Sequence, residues 1–317
     1  MLVKESKYFI YDNTVSINWK YPIKKFRDFI YKLELKSSKI KSSETKYKVS
    51  VCSIFKNEAP YLKEWIEFNH LVGVEHFFMY NNNSEDDYLT VLKPYMDKEW
   101  VTLVQWPHNQ MQMESYKDCI QKYANLTKWL GFIDIDEFIV PKKTNNIYDF
   151  LRNFENRGAV LLYWRLFGSS GLVDRDLKGL VSKDFTVCWP KYCSIGKCFY
   201  NTAYDFDFDT KKNACLHHFL WVKKGLRTLP PVNVFDKVCT AGLHIANDED
   251  FPVQINHYFT KSYKEYAIKR AKGDVYFKIN PHDEEYFYEH EMKCTSVDYS
   301  AYKYLIKLEN ELGMLNE

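Results

Sequence analysis

Hydrophobic residues follow two alternating patterns in the first half of the chain, and these patterns predict strands and helices in turn. Apolar runs rich in β-branched and aromatic residues, which are typical of buried strands, lie at 49–55, 76–80, 101–106 and 129–135. Between them, apolar residues recur at helical spacing over about 62–71, 89–95 and 115–123. Strands that alternate with helices in this order predict an α/β fold with a mainly parallel central sheet.

Polar residues gather where three of these strands end. Residues 56–58 follow the first strand, residues 81–87 follow the second, and residues 134–136 close the fourth. In open α/β sheets, ligands bind beyond the carboxyl ends of the strands. We therefore expect the three polar clusters to converge on one binding cleft.

Asp134 and Asp136 are the most informative residues of these clusters. If the strand continues through them, side-chain alternation places both on one face, about 6.5–7 Å apart, with Glu137 on the opposite face. Carboxylate oxygens in such a pair suit a divalent cation. A short Asp-x-Asp also occurs in solvated turns, but the apolar residues on either side, such as Phe132 and Phe138, favour a metal site.

The remaining pattern predicts three parts. Residues 1–47 form a basic N-terminal appendage and linker, residues 48–280 form the main domain, and residues 281–317 form a C-terminal helical extension. Residues 22–48, which make up the second half of the appendage and the first residue of the main domain, combine apolar positions at helical spacing with many lysines. Such a helix either packs on the main domain with a solvated basic face, which we favour, or lies peripherally on an anionic membrane surface.

Composition excludes several classes of protein. Aromatic residues make up 17% of the 317 residues, which excludes a disordered chain, and the net charge of +2 gives no basic field that would indicate nucleic acid as a partner. Eight cysteines without a Cys-x-x-Cys pair are typical of reduced thiols. Glycine-rich dinucleotide and phosphate-binding loops are missing from the sequence.

Localisation follows from the apolar pattern. The N-terminus lacks the apolar core of a signal peptide, and the sequence contains no window of eighteen apolar residues. We therefore expect a cytoplasmic protein, with residues 22–48 as the segment that would hold it at the inner face of the membrane.

Motifs in a fixed order resemble glycosyltransferase family 92 over about residues 49–273. The segments that carry the resemblance are 52–59, 61–70, 73–82, 134–138, 167–171 and 256–262. The resemblance implies a GT-A (Rossmann-like) fold and transfer of a sugar with inversion from a UDP-sugar, typically UDP-galactose. It also implies a divalent cation, Mn²⁺ or another such as Mg²⁺. A glycan or lipid-linked saccharide is the expected acceptor.

The resemblance also guides the assignment of site residues. The expected metal ligands are Asp134 and Asp136, completed by His257 as first choice or His217 as second, with His244 a weaker third. The expected nucleotide-sugar-binding residues are Lys56, Asn57, Glu58, Asn81, Asn82, Ser84, Asp86, Asp134 and Lys261. For the asparagine-rich loop, a hydrogen-bonded turn is the alternative.

The general base is left open by the sequence. An inverting transfer needs a base within reach of the acceptor hydroxyl. Asp174 follows the glycine-containing loop 168–171, and Asp250 precedes the Asn-His-Tyr motif together with Asp248 and Glu249. Two other functions compete: a nucleotidyltransferase that uses the same metal, and an inactive carbohydrate-binding protein. The first normally needs a basic or glycine-rich triphosphate loop, and the second does not explain the intact carboxylates.

Overall fold

A computed structural model describes residues 9–10, 26, 29–31, 33–34, 44–225, 227–239, 250–271 and 282–316. Its strands are β1 Phe9–Ile10, β2 Tyr47–Phe55, β3 His76–Asn81, β4 Val101–Gln105, β5 Thr127–Phe132, β6 Glu137–Pro141, β7 Ala159–Leu166, β8 Val187–Cys188, β9 Tyr192–Cys193, β10 Gly196–Asn201, β11 Asp205–Phe206, β12 Val222–Lys224, β13 Arg227–Leu229, β14 Val232–Asn233, β15 Val253–His257 and β16 Ser296–Val297. Its α-helices are Ala59–Leu71, Tyr88–Asp97, Gln112–Tyr123, Ile147–Leu151, Val181–Asp184, Tyr263–Ala271, Glu284–Met292 and Leu305–Glu311.

The main sheet is mixed but mostly parallel. Its strand order is β4-β3-β2-β5-β10-β7-β15-β6, and β14 also pairs with β7. Strands β4, β3, β2 and β5 run parallel to one another, as do β7 and β15, whereas β10 is antiparallel to both of its neighbours. The α/β fold with a mainly parallel central sheet that the sequence predicts is therefore confirmed.

Burial on both faces explains why the central strands are apolar throughout. Every residue of β3 is buried, and so are the last seven of β2. The helix Ala59–Leu71 starts with a proline in its first turn, where the missing N–H has no cost, and buries Trp65 and Phe68. The ring of Phe68 packs edge-on against Phe138 and Tyr304, at 5.2 and 5.6 Å between centroids.

The fourth strand is shorter than the sequence pattern predicts. The apolar run favours a strand through Ile135, but β5 ends at Phe132 and β6 begins at Glu137. Residues 133–136 form the turn that links them. The alternation of side chains along a strand does not apply within a turn, so the predicted continuation of the strand through Asp134 is wrong.

The C-terminal segment packs against the main domain at two places. Ser169 donates from its N and Oγ atoms to the two carboxylate oxygens of Glu291, at 2.8 and 2.7 Å. The hydroxyl of Tyr304 donates to the carbonyl oxygen of Pro141 at 2.8 Å. Residues 282–316 thus cover the end of β7 and the end of β6. Among the helices that the structure describes, none is both long and apolar enough to cross a membrane.

Candidate active site

The cleft lies where the chain changes direction across the sheet. After β2 the chain adds β3 and β4 on one side, and it then returns to place β5 on the other side of β2. Such a switch point leaves a crevice beyond the strand ends. A cleft of about 1160 Å³ opens there, lined by the ends of β2, β7 and β15, by the β5–β6 turn and by the helix Glu284–Met292.

The β5–β6 turn is held by an indole and a carboxylate. The Nε1–H of Trp65 lies 3.0 Å from the carbonyl oxygen of Asp134 and 2.8 Å from that of Glu137. The backbone N–H of Asp134 donates to Oε2 of Glu137 at 3.1 Å. These contacts fix the backbone of the turn, and they orient the side chain of Glu137 inward, where it is fully buried.

Asp136, Glu137 and His257 form a compact group of potential metal ligands. Strand β15 pairs antiparallel with β6 so that His257 lies directly opposite Glu137. His257 Nε2 lies 3.6 Å from Oδ1 of Asp136 and 3.9 Å from Oε1 of Glu137. One ligand atom from each residue falls within 4.8 Å of the others. Oε1 of Glu137 is buried and has no hydrogen-bond partner among the described residues.

The donor set fits a divalent cation. Two carboxylates and one imidazole suit Mn²⁺ or Mg²⁺, with other positions left for water or a substrate oxygen. Burial lowers the pKa of His257 even though Asp136 opposes this effect, so the imidazole is neutral and able to ligate. A buried carboxylate oxygen without a donor is also the atom that a cation would satisfy.

Two of the expected metal ligands lie outside this group. Asp134 accepts hydrogen bonds from Gln112 Nε2 at 3.1 Å and the Tyr116 hydroxyl at 3.2 Å, and Lys197 Nζ lies 2.6 Å from its second oxygen. His217 lines the cleft, but its Nδ1 faces the sulfur of Met113 at 3.3 Å. Glu137, which the strand pattern places on the opposite face, takes part in the group instead because the chain turns after Phe132.

Two lysines from distant parts of the chain neutralise the carboxylates. Lys197 on β10 is fully buried, and besides Asp134 it meets Oε1 of Glu137 at 3.6 Å. Lys269 Nζ lies 2.5 Å from Oδ2 of Asp136. Burial raises the pKa of Asp136, but Lys269 and His257 outweigh burial and hold the pKa well below its usual range. For Glu137 burial dominates, and its pKa lies well above the usual range despite Lys197.

The residues expected at the nucleotide divide into two sets. Lys56, Glu58 and Asn82 line the cleft, together with Asp134. The others take part in hydrogen bonds that shape the loops: Asn57 N to Ser84 Oγ at 2.9 Å, Ser84 N to Asn81 Oδ1 at 3.0 Å, and Ala59 N to Asp86 Oδ2 at 2.8 Å. The hydrogen-bonded turn therefore accounts for Asn57, Asn81, Ser84 and Asp86 in this structure.

Lys261 is buried beside the metal-ligand group. Its Nζ lies 4.3 Å from the centroid of the Tyr61 ring, and its backbone adopts a positive φ of 51°. Burial lowers its pKa, although Asp136 and Glu58 oppose the change. It is not among the residues that line the cleft.

The two carboxylates considered as the general base lie away from the cleft. Asp174 pairs with Lys264 at the surface, and Asp250 pairs with Lys143 at 2.7 Å. Asp250 precedes β15, whereas His257 ends it, so the two lie at opposite ends of one strand. The structure thus gives neither residue the position of a base. His244, Asp248 and Glu249 lie outside the described residues.

Sequence patterns did not identify several residues that line the cleft, among them Trp164, Lys197, Lys269 and His290. Lys197 falls in an irregular stretch of short strands, and only the insertion of β10 between β5 and β7 brings it to Asp134. His290 belongs to the predicted C-terminal extension. The sequence of this extension does not indicate that the extension lines the cleft.

A model of a known protein family matches this chain. The model described as Glycosyltransferase family 92 matches residues 45–204, about half of the chain. The match includes Asp134, Asp136, Glu137 and Lys197, but it ends before His257 and Lys269.

Relatives in plants and a nematode match over part of their length. A glycosyltransferase family 92 protein of Ricinus communis is 33% identical over 134 residues, which is 41% of this chain and 24% of that protein. The β-1,4-galactosyltransferase galt-1 of Caenorhabditis elegans is 33% identical over 37% of this chain and 31% of its own. Galactan β-1,4-galactosyltransferase GALS3 of Arabidopsis thaliana is 30% identical over 35% of this chain and 24% of its own. The matched region thus spans about a quarter to a third of these relatives.

Solved structures show a weaker likeness. TarS of S. aureus in complex with UDP has a TM-score of 0.32 at 14% identity, over 59% of this chain and 60% of that chain. Glucosyl-3-phosphoglycerate synthase from Mycobacterium tuberculosis, in complex with Mn²⁺, UDP and glucosyl-3-phosphoglycerate, has a TM-score of 0.28 at 18% identity, over 38% of this chain and 44% of that chain. These scores are too low to support a conclusion about this chain.

Proposed function

This chain belongs to glycosyltransferase family 92. We propose that it transfers a sugar from a UDP-sugar to a hydroxyl group of a glycan or lipid-linked acceptor, and that this sugar is galactose. The observation that carries the proposal is the group of Asp136, Glu137 and His257 at the switch point of the sheet. Galactose is favoured because two of the relatives are named galactosyltransferases.

Asp136, Glu137 and His257 are the residues that would hold a divalent cation. When bound, such a cation supplies Lewis-acid stabilisation of the diphosphate leaving group. Two lysines of the protein offset the negative charge that the carboxylates already place in the cleft. Lys197 and Lys269 already balance Asp134 and Asp136, so the cleft floor carries little net charge before a diphosphate arrives.

The nucleotide is expected on the β2 side of the cleft. Lys56 and Glu58 follow β2 directly, and Asn82 follows β3, its side chain held by the carbonyl oxygens of Trp106 and His108 at 2.8 Å each. A lysine there provides a point charge for a phosphate, and amide and carboxylate groups provide partners for uracil or ribose. The sugar would then lie on the β7–β15 side.

Calorimetry with UDP-galactose, with and without Mn²⁺, tests the proposal. We expect binding that requires the cation and falls at least about tenfold in Asp136→Asn, since removing one charged ligand weakens a hard-cation site. Asp174→Asn is the matched control, because Asp174 is exposed and pairs only with surface groups. Equal affinity of wild type and Asp136→Asn would contradict the site assignment. Binding of a nucleoside triphosphate in place of any UDP-sugar would favour the nucleotidyltransferase alternative.

We also propose that residues 22–48 contact an anionic membrane surface at the cytoplasmic face, in addition to packing on the main domain, where the ring of Tyr31 lies edge-on to Trp221 at 6.1 Å between centroids. Much of this segment lies outside the described residues, but Phe26, Phe29 and Leu33 are 66%, 57% and 47% exposed. They recur at helical spacing in a segment rich in lysine. Exposed apolar residues flanked by positive charge favour binding to anionic lipid.

A further inference from the structure

We propose that five ring side chains on one side of the cleft, Trp164, Trp189, Phe259, Tyr286 and His290, bind a saccharide ring. We call this set the aromatic wall. The inference rests on the proposed function, because it assigns the sugar-binding half of the same cleft. The occupant is a hexose, either the sugar of the donor or the terminal sugar of the acceptor, and the experiment below distinguishes the two.

The position of the aromatic wall follows from the strand order. Lys56 and Glu58 lie at the end of β2, and the metal-ligand group lies next to β5 and β15. The wall begins at the metal-ligand group, where the ring of His257 lies 4.6 Å from Trp164 and 5.6 Å from Phe259 between centroids. It extends from there away from β2. A diphosphate at the metal would therefore separate a nucleoside at β2 from a sugar at the wall.

The rings form one continuous surface. Phe259 lies 5.6 Å from Tyr286, Tyr286 lies 6.2 Å from His290, and His290 lies 5.1 Å from Trp189. Trp164, Trp189, Phe259 and Tyr286 are all partly exposed in the cleft. The C–H faces of a hexose pack against aromatic faces of this kind, and the cleft volume of about 1160 Å³ exceeds that of typical single-ligand pockets, roughly 300–1,000 Å³.

Two nitrogens of the wall provide one hydrogen-bond acceptor and one donor. His290 Nε2 lies 3.0 Å from the carbonyl oxygen of Phe167. A carbonyl oxygen only accepts, so Nε2 carries the hydrogen and Nδ1 is left as an acceptor. Nδ1 of His290 and the indole N–H of Trp164 are both buried without a hydrogen-bond partner among the described residues. A sugar hydroxyl both donates and accepts, which matches this pair.

The wall is held in place by the main domain. The indole N–H of Trp189 donates to the carbonyl oxygen of His290 at 3.1 Å, and Glu291 accepts two hydrogen bonds from Ser169. The helix Glu284–Met292 is thereby fixed to the loop that follows β7. Side chains that are positioned before a ligand arrives lose less entropy on binding.

The test compares two variants with a control that lies on the same helix as Tyr286. Tyr286→Leu removes an aromatic face, and Trp164→Phe removes only the indole N–H. Tyr288→Leu is the control, since Tyr288 is 53% exposed and does not line the cleft. For each protein, calorimetry with Mn²⁺ measures the affinities for UDP and UDP-galactose. Initial rates measure KM for galactose-, mannose- and fucose-terminated oligosaccharides.

We expect both variants to bind UDP as wild type does and to lose about two- to tenfold in one of the other two quantities. A loss in the affinity for UDP-galactose relative to UDP places the donor sugar at the wall, and a higher KM for an oligosaccharide places the acceptor there. Variants that match the control in both quantities, or that lose affinity for UDP itself, would overturn the proposal. So would a wild-type protein that binds UDP but no saccharide. Failure of the wild type to bind UDP would instead overturn the proposed function.

Discussion

Replacement of Lys197 by methionine tests the charge balance of the site most directly. The ammonium group of Lys197 is fully buried, 2.6 Å from Asp134 and 3.6 Å from Glu137. Methionine keeps the length and apolar packing of the side chain but removes the charge. The substitution therefore leaves two carboxylates without their nearest cation while changing little else.

The expected loss of stability is about 3 kcal/mol. Removing one partner of a buried ion pair costs about 3–5 kcal/mol, because the other charge stays buried. The lower end applies here for two reasons. The Asp134 side chain is 31% exposed and keeps some contact with water. Glu137, which is 0% exposed, escapes the penalty by taking up a proton, since its pKa is already raised by burial.

This escape gives the variant a characteristic pH dependence. Loss of Lys197 removes the main influence that lowers the pKa of Glu137, so the pKa rises further above the ordinary value of 4.5. The folded variant then holds a proton that the unfolded chain releases. Its free energy of unfolding should fall as the pH rises from about 4.5 through the raised pKa of Glu137, and the fall should continue to a higher pH than in wild type.

Denaturant unfolding followed by tryptophan fluorescence measures the effect at several pH values. Lys223→Met is the matched control, because Lys223 also bridges two carboxylates, Asp207 and Asp209, but is 39% exposed. Ion pairs of such exposed groups contribute little to stability. If Lys197→Met is no less stable than Lys223→Met, and its stability has the same pH dependence as wild type, the reasoning about buried charge is refuted.

Three further results are expected. Glu137→Gln should weaken Mn²⁺ binding at least about tenfold in calorimetry without loss of stability, since it removes a ligand that is costly to bury; an unchanged affinity would exclude Glu137 as a ligand. Trp65→Phe removes the N–H that holds the β5–β6 turn and should cost about 1–3 kcal/mol in denaturant unfolding and also weaken Mn²⁺ binding; stability equal to wild type would contradict this role. Phe26→Ser with Phe29→Ser should reduce cosedimentation with phosphatidylserine vesicles, and equal sedimentation of wild type and variant would contradict the membrane proposal.

The first half of the fold could be predicted from the sequence because its elements are set by local patterns. The spacing of apolar residues marks β2, β3, β4 and the helices between them to within a few residues. In a parallel sheet with helical crossovers, these elements also place their polar ends at one edge, so the cleft and the presence of Asp136 in it follow from periodicity alone.

The composition of the site was decided by tertiary structure. The position at which β5 ends determines whether Asp134 or Glu137 lies in the metal-ligand group with Asp136. The hydrogen bonds from Trp65 to the β5–β6 turn stabilise the chain with β5 ending at Phe132. His257 meets Glu137 only through the antiparallel register of β6 and β15, which are more than a hundred residues apart in the chain. Lys197 and His290 reach the cleft through an inserted strand and a docked C-terminal helix. Such contacts depend on strand register and helix packing between distant segments, and no local pattern encodes them.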